Sequence, residues 1–147
     1  MAFRVSTGLR NYMLATGSFK TAMDSGFLKL YSGSVPASAD DSLGAAVLLV
    51  TISLNSTATG ITFETTAVSG VLSKKSSETW SGVVAASGTA SFFRFIAVGD
   101  TGVLSTTEKR VQGSVGVAAS ELNLSSVALT SLAVQTINHF NVALPTL

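Results

Sequence analysis

The sequence predicts an all-β fold, an antiparallel β-sandwich or jelly roll with a short helical or extended N-terminal arm. Three observations carry that reading. Short runs rich in β-branched and aromatic residues recur, with turn signals about every 8–12 residues between them. Helical periodicity is confined to the opening, residues 1–25, ahead of a β-domain over 26–147. The 147-residue chain has no cysteine, so it folds on its core rather than on disulfides.

In the opening segment, Arg4, Arg10 and Lys20 precede the first acid, Asp24. Ser6 or Thr7 can cap a helix over Gly8–Leu14 that places Leu9, Met13 and Leu14 near one face. Gly17-Ser18 starts a second turn reaching Met23, with Phe19, Ala22 and Met23 apolar. Helices this short need a surface to lie on. That surface is either one end of the β-domain, which the helices close as a flap, or a neighbouring subunit on which the segment docks as an arm.

Strands follow. Phe27–Gly33 alternates, and Ser34–Gly44 is a polar loop with Pro36 and the Asp40-Asp41 pair. Ala45–Leu54 is apolar and β-branched enough to be buried on both faces. Asn55–Gly60 turns the chain, Ile61–Thr66 returns, Val68–Ser73 is weaker, and Lys74–Glu78 is a charged loop. Thr79–Ala86 and Ser91–Val98, joined by Ser87–Gly88–Thr89–Ala90, read as a hairpin. It carries the only tryptophan, Trp80, with Phe92, Phe93 and Phe95, so neighbouring strands should pack around it. Asp100–Arg110 reads as a long exposed link before Val111–Ala118. Ser120–Ser126 bends, Val127–Leu132 is a short strand, and Val134–Leu144 is a closing strand with Phe140, Val142 and Leu144 on one side. Ser69–Ser73 and Thr101–Ser105 echo each other and suggest two equivalent loop–strand units.

Composition narrows the function classes. Charged residues are 12% of the chain and the net charge is +1, which lacks the basic excess of a nucleic-acid-binding domain. No apolar run reaches the roughly 18 residues that span a bilayer, and the N-terminus lacks a secretory h-region. Ser, Thr and Gly outnumber the charged types. A charge-poor, hydroxyl-rich surface suits burial against other protein, because few charges need desolvation. Uncharged strands such as Val111–Ala118 also want covering. Both point to assembly.

Asp100-Thr101-Gly102 after an apolar strand matches the core of the aspartic-protease signature, in which two such loops share a proton, and a homodimer would supply both. The next residues lack apolar support, and Asp-Thr-Gly is also good turn chemistry. His139 is the only histidine, so a multi-histidine metal site within one chain is excluded, and a lone histidine in an alternating strand reads as a packing or interface residue. Asp40 and Asp41 lack an EF-hand spacing. Gly99–Gly102 and Gly113–Gly116 lack a P-loop lysine. The sequons at Asn55 and Asn123 stand without a leader. Catalytic, cofactor and metal sites are therefore expected to be absent.

The opening STGLRNYMLATGSFKTAMDSGFLKLYSG and the closing QTINHFNVALP, with LLVTISLNS, GVLSKKSSETWSG and FFRFIAVGDTG between them, resemble a group of small proteins encoded among the virion genes of tailed bacteriophages. The resemblance spans the chain and includes no catalytic motif. It implies a virion structural role: a head decoration (cement) protein on the phage head surface, made in the host cytoplasm, with a tail, neck or fibre component as the alternative. The implied partners are the phage major capsid protein and further copies of the chain, as a dimer or trimer. Capsid contacts are expected from the arm, at Arg4, Arg10, Leu9, Met13 and Phe19. Two other classes remain open: an adhesin binding a host glycan through Ser34–Gly44 and Asp100–Arg110, and a dimeric protease using Asp100.

Overall fold

The computed structural model describes residues 3–144. Strand is the predominant regular structure among the described residues, with two short helices, and the chain forms an all-β sandwich of antiparallel sheets. In order, the elements are β1 (Arg4–Val5), α1 (Thr7–Ala15), α2 (Phe19–Met23), β2 (Phe27–Ser32), β3 (Val47–Leu54), β4 (Val71–Ser73) and β5 (Trp80–Val83). Then come β6 (Gly88–Thr89), β7 (Phe92–Ile96), β8 (Arg110–Gly116), β9 (Leu122–Asn123), β10 (Ala128–Leu129), β11 (Val134–Ile137) and β12 (Asn141–Ala143). The main sheet runs β1-β8-β7-β2-β3-β5-β11, with β9 pairing β8 in parallel. The β4–β12 and β6–β10 pairs form two small separate sheets.

One face of the main sheet presents Leu28, Leu30, Val50, Ile52, Phe93, Phe95 and Val111 to the core. Trp80 and Phe63 sit among them, with ring centroids 5.5 Å apart in an edge-to-face contact, and Phe140 packs on both. Such pairs add about 0.5–1.5 kcal/mol each beyond their buried area. Leu9 of α1 and Met23 of α2 are fully buried in the same core.

The helices start where the sequence places them. Ser6 Oγ accepts the Leu9 N–H at 3.2 Å. Ser18 and Thr21 form a reciprocal capping box. The cap at Ser6 does more than start a helix. Its hydroxyl also donates to the Glu108 carbonyl and accepts the Arg110 N–H, at 2.7 and 2.9 Å.

The opening segment packs on the β-domain, where the sequence reading left open a flap on that domain or an arm docked on a neighbour. β1 pairs with β8, Arg4 opposite Gln112 and Val5 opposite Val111, and both helices bury core side chains. Removing residues 2–23 would open the core.

The strands of the expected hairpin are not neighbours. β5 lies between β3 and β11, whereas β7 lies between β2 and β8. Residues 84–91 carry the chain across the sheet, and β6 within them pairs with β10. The closing strand is two strands in different sheets, broken at 138–140 where Phe140 turns into the core. Of the echoed pair, Val71–Ser73 is a strand, while 101–105 is loop.

Candidate functional site

The opposite face of the main sheet is polar, yet buried. The pairings Lys29–Arg94, Arg94–Gln112 and Gln112–Arg4 set these residues in one row across β2, β7, β8 and β1. Arg94, Gln112 and Arg110 are fully buried beneath the loops 33–46 and 97–109. Arg94 donates from Nε and Nη2 to Gln112 Oε1 at 3.1 and 2.6 Å, and from Nη1 to the Asp41 carbonyl at 2.9 Å. Burial first, then the nearby Arg110 charge, pulls the Arg94 pKa down from its ordinary value. Tyr31 stacks on Phe92 in the same layer, with centroids 5.1 Å apart. Burial raises its pKa to about 12, against the pull of Arg94.

Asp100 is not part of an exposed link. Its carboxylate accepts from Arg110 Nε at 2.5 Å and Nη2 at 2.8 Å, and both side chains are inaccessible to solvent. Oδ1 also accepts the Gly102 N–H at 2.7 Å. A carboxylate occupied in this way has no free lone pair aimed at solvent to activate water, which removes it as the protease group. Asp40 is engaged as well: it caps α1 by accepting the Thr7 N–H and hydroxyl at 2.8 and 2.6 Å. This layer pins two long loops to the sheet, and no buried side-chain polar atom among the described residues lacks a partner.

The accessible candidate lies on the other side. A mainly apolar cleft of about 520 Å³ is lined by Phe3 and Val5, by Met13 and Phe19 of the helical segment, and by Leu72 and Val142 of the β4–β12 pair. A second cleft of about 600 Å³ continues from it, sharing Phe3, Val142 and Ala143, with His139, Glu121 and Asn123 on its polar wall. Burial works to raise the Glu121 pKa, but the Ser114 hydroxyl and N–H donate to the carboxylate and hold it below the usual range. His139 is exposed, at the break between β11 and β12.

Of the five expected contact residues, the structure brings Met13 and Phe19 together on this cleft. Arg10 is exposed on α1, where it donates to Thr7 Oγ1 at 2.9 Å. Leu9 is fully buried and unavailable to a partner, because its side of α1 faces the core. The Arg4 guanidinium is held by the Pro36 and Ala37 carbonyls. Phe3, 41% exposed at the cleft, was missed by the sequence reading. Its aromatic character beside Val5 was the only signal available.

Among the described residues no group of three or more His, Cys, Asp or Glu side chains is placed to hold a metal ion, and no helix is long and apolar enough to cross a membrane. No protein-family model, no curated protein and no solved structure matches the chain.

Proposed function

We propose that this chain is a structural protein of a tailed-bacteriophage virion, a head decoration protein that stabilises the assembled shell by docking on the major capsid protein. One observation carries the reading. The opening and closing stretches of the resemblance lie at opposite ends of the sequence, and they line one cleft: Met13 and Phe19 come from the opening, Val142 and Leu144 from the closing. The cleft is apolar, and its rim is exposed at Phe3 and Leu144. Arg10, exposed on α1, supplies a cation for an acidic capsid segment.

A clamp of this kind needs little affinity at each contact. A standard interface covers about 800 Å² per partner. A clamp that bridges two capsid subunits gains effective concentration at the second contact. Binding only the assembled shell stabilises it by about 2.7 kcal/mol per site at a hundred-fold excess over Kd.

Co-sedimentation with empty shells of the encoding phage tests the proposal. Phe3→Asp and Leu144→Asp, at the exposed rim of the cleft, should cut shell binding at least tenfold, with unchanged denaturation midpoints. If both variants bind as the wild type does, the cleft is not the docking surface. Retention on tails instead of heads would favour the tail or fibre reading.

A further inference from the structure

We propose that β11 is a self-pairing edge: two copies of the chain join their β11 strands antiparallel across a two-fold axis, running one main sheet into the other. This inference does not depend on the virion reading. β11 ends the strand order of the main sheet, and its only strand partner among the described residues is β5.

The hydrogen-bond alternation fixes what the outer edge offers. Val84 N–H donates to the Ala133 carbonyl and Leu132 N–H to the Val84 carbonyl, both at 2.8 Å. On the other side of β5, Ala85 N–H donates to the Leu49 carbonyl at 2.7 Å. Even-numbered residues of β5 therefore bond β11, and odd-numbered ones bond β3. With Gly82 opposite Gln135 and Trp80 opposite Ile137, Gln135 and Ile137 bond inward. Val134 and Thr136 turn their N–H and C=O groups outward. Among the described residues, the one side-chain hydrogen bond to these outward groups comes from the Gln135 amide, which donates to the Thr136 carbonyl at 3.0 Å.

Edges of soluble sheets are commonly protected by lysine, proline or a bulge within the strand. β11 has neither residue. A bulge lies just before it, where Leu132 (φ 71°) and Ala133 both bond Val84, but charge is missing over a wide area, because residues 42–63, 79–93 and 122–147 contain no Asp, Glu, Lys or Arg. These segments hold β3, β5 and β11, so this flank of the sheet is charge-free. At its border Leu132 is 82% exposed, Val134 64% and Val83, opposite Val134, 48%. The other end of the sheet is different. β1 is two residues long, and its Arg4 is held by the Pro36 and Ala37 carbonyls.

A second copy is the occupant that this edge matches best. With Gln135 opposite Gln135 of the partner subunit, Val134 lies opposite Thr136 of the partner subunit, and the reverse. All four outward-facing groups on each strand are then paired, in four backbone hydrogen bonds. Neutral meets neutral, so no charge is desolvated, and the exposed valines and Leu132 are brought to the junction.

Sedimentation equilibrium of the full chain tests this, with Val134→Lys and Thr136→Pro as breaking variants. The expected result is twice the monomer mass for the wild type and the monomer mass for both variants, with native near-ultraviolet circular dichroism from Trp80. Because a proline can unfold a strand, Gln135→Cys gives a second readout. The natural chain has no cysteine, and Gln135 would face its own copy in a non-hydrogen-bonded pair, with Cα atoms about 4.5 Å apart. Oxidation should yield a covalent dimer, whereas Ser126→Cys, at an exposed position outside β11, should give no covalent cross-link. A wild-type monomer, a dimer that survives Val134→Lys, or failure of Gln135→Cys to cross-link would each overturn the proposal.

Discussion

Asp100 and Arg110 hold each other in a two-point ion pair, Nε to Oδ2 at 2.5 Å and Nη2 to Oδ1 at 2.8 Å, with neither side chain reaching solvent. Arg110 also donates to the Val103 carbonyl at 2.7 Å, so the pair ties the 97–109 loop to β8. Removing one partner strands a buried charge, which costs about 3–5 kcal/mol. Asp100→Ala and Arg110→Ala should each lower stability by that order in urea denaturation. The double variant should lose clearly less than the sum, because it leaves neither charge behind. Additive losses would mean that the two side chains do not act as a unit.

Tyr31 gives the protein a specific alkaline sensitivity. Its pKa stands at about 12 in the folded chain against 10.0 ordinarily. A raised value means that the folded state favours the neutral phenol. The stabilisation is complete below pH 10 and is lost as pH rises through about 12. A rise from 10.0 to about 12 corresponds to about 2–3 kcal/mol. The denaturation midpoint should fall between pH 10 and 12 more steeply in the wild type than in Tyr31→Phe. Parallel curves would show that Tyr31 is not the group responsible.

Glu78 acts at the other end of the pH scale. Partial burial works to raise its pKa, but the Thr62 hydroxyl and N–H and the Trp80 indole N–H donate to it and bring the net value down. A depressed carboxylate stabilises above its unfolded pKa, and this contribution is lost as pH falls through the folded value. Glu78→Gln should flatten the acid limb of the stability profile and shift Trp80 fluorescence. An unchanged acid limb would remove Glu78 from the account.

Gly8 inverts the usual helix rule. Alanine in a helix is favoured over glycine by about 1 kcal/mol, yet a Cβ at Gly8 would sit 2.2 Å from the Thr107 carbonyl oxygen. α1 lies too close to the 97–109 loop for a side chain there. Gly8→Ala should therefore destabilise, by about 1–3 kcal/mol. Asn11→Ala, on the exposed face of the same helix, should be neutral or slightly stabilising. Thermal unfolding of the two variants checks both signs.

Local chemistry was legible in the sequence, and long-range pairing was not. Ser6 and Ser18 announced the helix starts because a cap is written within three residues. The runs at Phe27 and Ala45 announced strands because their composition is set by burial. Adjacency of Thr79–Ala86 and Ser91–Val98 was misread because the Ser87–Ala90 link fits a hairpin by length and composition, while β3 and β11 flank β5 and β2 and β8 flank β7. Asp100 looked exposed because only the fold brings Arg110 under it. Leu9 looked like a contact residue because a short amphipathic helix does not say whether its apolar side meets its own core or a neighbour. The cleft joins residues 3–20 with 65–72 and 142–144, a combination that no local pattern encodes.

The most direct test of the docking reading is imaging of purified infectious particles of the encoding phage, with this chain identified by a fused label. The account predicts density at regularly repeated positions on the head, with the cleft of Phe3, Met13 and Val142 against the capsid. Intact particles that lack the chain altogether would contradict it.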